Sequence, residues 1–165
     1  MQGRHIAVEE KEMRMKEQTR LKGHWTIEVR VNGELRETIE LDNQLTEAYR
    51  QSILNQLAGN TATDLEIKYL AVGTDNTPAT AQDTTLGAEL FRSVPTARTV
   101  VGTYMQTYWV LTNEQANGSL REIGVFAGDA TASPNTGTMI SRIVIALEKN
   151  DTMEVTFIRK DYVII

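Results

Sequence analysis

Apolar and polar residues alternate in HWTIEVRV, where Trp25, Ile27, Val29 and Val31 occupy every second position. A period of two is that of a strand with one face buried. The pattern resumes after Asn32-Gly33 in ELRETIEL, with Leu35, Ile39 and Leu41 apolar, so the two runs predict a β-hairpin. A two-residue Asn-Gly turn pairs Val31 with Glu34 and sets the two apolar faces on opposite sides. A three-residue loop, Val31-Asn32-Gly33 with Gly33 left-handed in a G1 bulge, pairs Arg30 with Glu34, Glu28 with Arg36, Val29 with Leu35 and Trp25 with Ile39. Charges and apolar faces agree in the second register, which is the one expected.

The period then lengthens. In DNQLTEAYRQSILNQLAGN, Tyr49, Ile53 and Leu57 form an i, i+4 stripe supported by Leu45 and Leu54. Asn43 or Thr46 can cap this helix and Gly59 can end it. LEIKYLAV (65–72) reads as a strand with Leu65, Ile67, Tyr69 and Ala71 on one face. A long β-rich stretch, ARTVVGTYMQTYWVLT, precedes the turn signal NEQANGS. LREIGVFAG, TMISRIVIALEKN and TMEVTFIRKDYVII give further strands, with DATASPNTG as a loop and KND as a turn. Many strands, one helix near the start and no βαβ alternation predict a mainly β, antiparallel sandwich-like domain over residues 23–165. Residues 1–22 are a charged N-terminal arm without a firm period, whose large apolar groups are Ile6, Val8, Met13, Met15 and Leu21. It is either a frayed terminus or an arm that orders against a neighbouring subunit, those five residues then being the assembly contacts.

Between the strand at 65–72 and the apolar Leu90-Phe91 lies a small-polar tract that begins GTDNTPATAQD. Its oxygens on Thr74, Asp75, Asn76 and Asp83 are of the type calcium uses, but the spacing and the terminal Glu of a calcium loop are missing. A phosphate cradle is disfavoured by its single Gly and negative charge. With Leu86, Leu90 and Phe91 anchored under a sheet, the tract is expected to cross the sheet edge as a structural connection.

Composition narrows the classes. The 165 residues suit one domain, and no apolar run is long enough for a membrane helix. The first twenty residues lack the apolar stretch of a secretory signal. Zero cysteines exclude disulfides, thiolate nucleophiles and Cys-ligated zinc. A net charge of −5 and a pI near 5.1 argue against direct nucleic-acid binding, because the one Lys/Arg-rich stretch also carries Glu9, Glu10, Glu12 and Glu17. The two histidines are His5 in the arm and His24, which lies opposite Glu40 in the expected hairpin as a surface pair. No nucleophile elbow, phosphate loop or zinc-protease motif is present, and Glu122 is expected to pair with Arg121 at a strand edge. No enzyme activity, catalytic residue, cofactor or metal is expected. Tyr104, Tyr108 and Trp109 fall at strand spacing in YMQTYW, and are either core or sheet-interface residues or surface aromatics for a sugar or partner protein.

The order of motifs resembles a family of small tailed-bacteriophage virion proteins. In that family an Asn-Leu-Thr-like helix start leads to an ALGTG-type segment, a Thr/Asp tract, a Leu-x-x-Glu-x-x-Arg run, an IREIGLF-like strand and a terminal strand pair. Here these correspond to Asn43–Thr46, Ala71–Thr74, Leu86–Arg92, Arg121–Phe126 and Glu148–Ile165, so the resemblance covers residues 23–165. The chain departs from it in LTEAYRQSI, where a Gly is usual, and in its longer charged arm. The resemblance implies a structural role in a phage particle, in tail, fibre or baseplate. Its alternatives are a capsid-surface decoration protein, or a receptor- or glycan-binding module at the tail tip. It also implies a virion protein made in the bacterial host cytoplasm, homo-oligomeric, with other virion proteins as partners and no membrane insertion.

Overall fold

The computed structural model describes residues 20–60 and 64–164. The strands are β1 (Arg20–Val31), β2 (Glu34–Asp42), β3 (Gln44–Leu45), β4 (Ile67–Gly73), β5 (Glu89–Ser93), β6 (Ala97–Val101), β7 (Tyr104–Leu111), β8 (Gly118–Ala127), β9 (Thr138–Lys149) and β10 (Met153–Ile164). The helix α1 (Glu47–Leu57) lies between β3 and β4. Sheet A has the order β2-β1-β10-β7-β6 and sheet B the order β3-β9-β8-β4-β5, all neighbours antiparallel. Among the described residues the fold is therefore the predicted mainly β sandwich with one short helix. Among the described residues no helix is long and apolar enough to cross a membrane.

The alternation read from the sequence builds the interior. Trp25, Ile27 and Val29 of β1, Trp109 and Leu111 of β7, and Val155 and Phe157 of β10 face Leu70, Val72, Leu120, Ile123, Val125, Ile143 and Ile145 of sheet B. Each such side chain contributes about 1.5–3 kcal/mol on burial, which outweighs any surface pair. Trp25 and Trp109 pack at the centre, ring centroids 6.0 Å apart.

The hairpin register differs from the expected one. Asn32 (φ 50°) and Gly33 (φ 84°) form a two-residue turn, and Val31 pairs with Glu34. The apolar faces are reconciled two residues further on. Arg30 pairs with Leu35 but Val29 with Glu37, so Arg36 is the extra residue of a bulge inside β2. That bulge turns Ile39 and Leu41 inward, opposite Ile27 and Trp25. Gly33 is left-handed as expected, but the bulge belongs to the strand and not to the turn.

A register shift in β4 between Ile67 and Tyr69 likewise splits the face predicted there. Ile67, Leu70 and Val72 enter the main core, whereas Tyr69 and Ala71 pack with Leu86, Phe126 and Met139 on the outward side of sheet B. The helix is capped by Thr46, whose Oγ1 accepts from the Tyr49 amide at 3.1 Å. Its stripe is only partly used: Tyr49 and Ile53 are half-buried, but Leu57 is 81% exposed and Leu54 is exposed too. β1 begins at Arg20, so Arg20, Leu21 and Lys22 are strand residues rather than arm.

Candidate functional site

The segment from Thr74 to Ala88 leaves β4 and returns as β5, its antiparallel neighbour. Instead of crossing the sheet edge, this strap lies over the outward face of sheet B. It reaches the helix start, where the Glu47 amide donates to the Ala81 carbonyl at 2.7 Å. Leu86 is buried on that face, against Gly124; a Cβ on Gly124 would meet its Cδ2 at 2.9 Å. Phe91 packs on the main core, but Leu90 is exposed and anchors nothing.

Under the strap sits a polar cluster. The register shift between Leu120 and Glu122 puts Leu120 and Ile123 in the core and Glu122 on the covered outward face, fully buried. Its carboxylate accepts from the amides of Gly87 (2.9 Å), Ala88 (2.8 Å) and Asp75 (3.4 Å) and from Arg142 Nε (2.9 Å). Arg142 also donates to Asp83 Oδ2 at 3.1 Å and to Asp75 Oδ2 at 3.4 Å. Burial works against the charge on Arg142, but its bonds to Glu122 and Asp83 more than offset this and raise its pKa. Thr77 holds the Asp75 carboxyl below its usual range, through its hydroxyl and then its amide, with Arg142 adding. Burial would raise the Asp83 carboxyl, yet the Thr80 amide and hydroxyl and Arg142 lower it on balance. The carboxylates of Asp75 and Asp83 are thus turned to internal donors. Among the described residues no group of three or more His, Cys, Asp or Glu is arranged to hold a metal.

This corrects the expected pairing of Glu122 with Arg121. Arg121, the residue at the register shift, bonds Glu148 instead, while Glu122 meets Arg142 of β9. Arg142 was legible as the charged residue in the apolar run MISRIVIAL.

Other buried charges hold connections in the same way. Arg92 bonds Glu89 and the carbonyls of Thr131 and Thr136, and lies over the rings of Phe126 (4.7 Å) and Tyr69 (5.4 Å). Glu89 accepts from the Asn135 amide at 2.9 Å, fixing the β8–β9 loop. Buried Lys149 is met by the carbonyls of Thr112 (2.8 Å) and Asn113 (3.4 Å) and by Asn117 Oδ1 (2.8 Å); desolvation lowers its pKa. Arg159 bonds Asp161 and Ser141 in the gap between the sheets.

The outward face of sheet A is open. His24 meets Glu40 at 2.6 Å and Asp42, its register partner, at 3.3 Å. Tyr104 packs on Tyr162 with centroids 5.3 Å apart, and Lys160 lies 5.5 Å above the Tyr104 ring. Tyr108 is on this face and accepts at its hydroxyl from Gln106. Trp109 is not: it points into the core at 0% exposure, and its indole N–H has no partner among the described residues. The three aromatics therefore do not form one patch.

An apolar groove opens at one end of the sandwich, in two lobes of about 540 and 560 Å³. Both are walled by Leu21, Leu45 and Tyr49. The first adds Val100 and Val163, the second Ile53 and Leu54. Burial raises the Tyr49 phenol pKa, with the Asp161 charge adding. Of the predicted assembly residues, Leu21 is in this wall; Ile6, Val8, Met13 and Met15 lie outside the described residues. The unfilled helix stripe was the signal for such a surface. No protein-family model matches the chain, and no curated protein or solved structure matches it either.

Proposed function

We propose that the chain is a structural component of a tailed-phage particle, associated with its tail, fibre or baseplate, and acting through contacts with other virion proteins and with further copies of itself. Support comes from the order of motifs over residues 23–165, and from what the charged groups do. Glu122, Arg142, Arg92 and Lys149 each hold a connection to the sandwich. The observation that carries the reading is the apolar end groove, with Leu21, Leu54, Val100 and Val163 exposed in its walls. Exposed apolar residues gathered in one place mark contact surfaces. A rigid frame with ordered connections and one apolar end fits a subunit better than a reaction site.

The test is labelling of the protein in purified particles. Label at a fixed particle position, in a constant copy number, is the expected result. Protein that stays in the soluble lysate, with particles free of it, overturns the proposal.

A further inference from the structure

We infer that the free edge of β6 pairs with the β6 edge of a second copy of this chain, antiparallel about a two-fold axis at Thr99, so that sheet A continues from one subunit into the next. The inference rests on the assembly reading above and names the surface that carries it. Sheet A ends in β2 on one side and β6 on the other, and no described strand continues it beyond either. Such an edge is a template for another strand unless charges or a bulge block it. β2 has both: Glu34, Glu37, Glu40 and Asp42 oppose pairing with their like, and Arg36 bulges. β6, Ala97–Val101, has no bulge, and all five of its residues are exposed. Its single charge, Arg98, is turned to the start of β4, where it meets Glu66 Oε1 at 3.1 Å and the Ile67 carbonyl. The edge itself is left neutral. Its surroundings are apolar. The joining residues 94–96 span about 10 Å, the spacing of packed sheets, so the edge strands β5 and β6 lie on one side of the sandwich. Leu90, Val94 and Val101 are exposed there, and Val100 is 76% exposed.

The choice of a second copy follows from the register. A two-residue turn, Gly102-Thr103 with Gly102 at φ +57°, joins β6 to β7. The pair that closes such a turn, Val101–Tyr104, is hydrogen-bonded, and bonded pairs alternate along an antiparallel ladder. Thr99 therefore gives its N–H and C=O to Gln106, while those of Arg98 and Val100 point outward. Outward groups placed evenly about Thr99 match their own copy turned through a half-circle. Arg98 and the partner's Val100 each donate an N–H to the other's carbonyl, and so do Val100 and the partner's Arg98. Side chains agree in that register, which keeps each face of the sheet continuous. Ala97 meets the partner's Val101, small against large, and Thr99 meets the partner's Thr99, a favourable cross-strand pair. Arg98 meets an apolar residue rather than its like. A charged partner strand finds no counter-charge on this edge, because Glu66 already holds Arg98. The contact is self-complementary, as a two-fold interface requires.

The experiment uses full-length chains. The sequence has no cysteine, so single cysteines report the register. In a pair that is not hydrogen-bonded the facing Cα atoms are about 4.5 Å apart, within reach of a disulfide. Thr99→Cys is expected to oxidise to a linked dimer about tenfold faster than Ala97→Cys or Val101→Cys alone, whose like positions lie about 13 Å apart in this register. An equimolar mixture of Ala97→Cys and Val101→Cys is expected to cross-link far faster than either alone. In sedimentation equilibrium the wild-type chain is expected to associate with rising concentration. Val100→Pro removes an outward N–H but no bond to β7, and is expected to weaken that association by about tenfold or more. Thermal melts check that each variant folds; should Val100→Pro not fold, the cysteine series decides alone. A wild-type chain that stays monomeric overturns the inference. So does wild-type association by folded Val100→Pro, or cross-linking of Ala97→Cys alone as fast as Thr99→Cys. Particle labelling decides the proposed function separately: a monomer found in particles ends the edge pairing only, and a dimer absent from particles ends the virion reading only.

Discussion

On the outward face of sheet A, His24 meets Glu40 and Asp42 in contact with solvent; on the outward face of sheet B, Arg142 meets Glu122, Asp83 and Asp75 beneath the strap. Both are clusters of one basic group with carboxylates, and both join neighbouring strands. They differ in cover. In solvent the Coulomb attraction is screened and side-chain entropy opposes it, so such a pair contributes about 0–1 kcal/mol. Under the strap Glu122 and Arg142 have lost their water, and each of their polar groups must find a protein partner. The covered cluster therefore specifies where the strap lies, while the open one only trims strand register.

The sharpest way to break the contrast is to remove one partner from each side. Glu122→Ala leaves Arg142 buried without its main acceptor and frees the amides of Gly87 and Ala88. Urea unfolding is expected to show a loss of about 3–5 kcal/mol. A loss below about 1 kcal/mol would put the buried cluster in the same class as a surface pair and end the distinction.

Glycines on the two faces give the next largest effect. A Cβ on Gly73 would meet the Ala88 carbonyl and Glu122 Oε1, each at 2.4 Å, so Gly73→Ala forces the strap outward. Calorimetry should register roughly 1–3 kcal/mol of overpacking. Gly102, in the β6–β7 turn of sheet A, has φ +57° and nothing within 4 Å. Gly102→Ala meets only backbone strain of about 1–2 kcal/mol, and should leave strap amide shifts unchanged in an NMR spectrum.

Acid sharpens the same comparison with a smaller effect. The folded-state pKa of Asp83 lies below its ordinary 3.8, so its contribution is present above the unfolded value and is lost as pH falls through the folded one. The melting temperature of the wild-type protein should fall more steeply below pH 3.8 than that of Asp83→Asn. Desolvation would raise the Glu40 carboxyl, yet Thr26 and His24 lower it on balance from its ordinary 4.5. Being solvated, it should add less slope, and Glu40→Gln should change the acid limb less than Asp83→Asn does. Equal slopes would mean that cover makes no difference. Smallest of all, His24→Ala is expected to shift stability by no more than about 1 kcal/mol in the same urea titration.

How far the sequence showed this depends on period. Strands such as Trp25–Val31 bury alternate residues, and their fold class was legible from that alternation. The register shifts were not, because an extra residue such as Arg36 reverses the faces beyond it without altering composition. The same limit hid the strap cluster. Glu122 and Arg142 are twenty residues apart and meet only through the β8–β9 register, whereas the visible neighbour Arg121 reaches Glu148 instead. Trp109 was offered as a surface aromatic beside Tyr104 and Tyr108, although its odd position sets it on the face opposite theirs, toward Trp25. The helix misled in the other direction: a regular stripe is written in Tyr49, Ile53 and Leu57, yet the sandwich covers only part of it.

The central claim is that the charges under the strap hold the chain in place. Amide hydrogen exchange at Gly87 and Ala88 tests it most directly, since both N–H groups donate to the buried Glu122 carboxylate while their residues are otherwise exposed. In the wild-type protein the two amides should exchange only through the slow opening that releases the core of sheet B, and in Glu122→Gln they should exchange much faster while the amides of β8 keep their protection. Wild-type exchange at Gly87 and Ala88 as fast as at the exposed Thr84 and Thr85 would contradict the account.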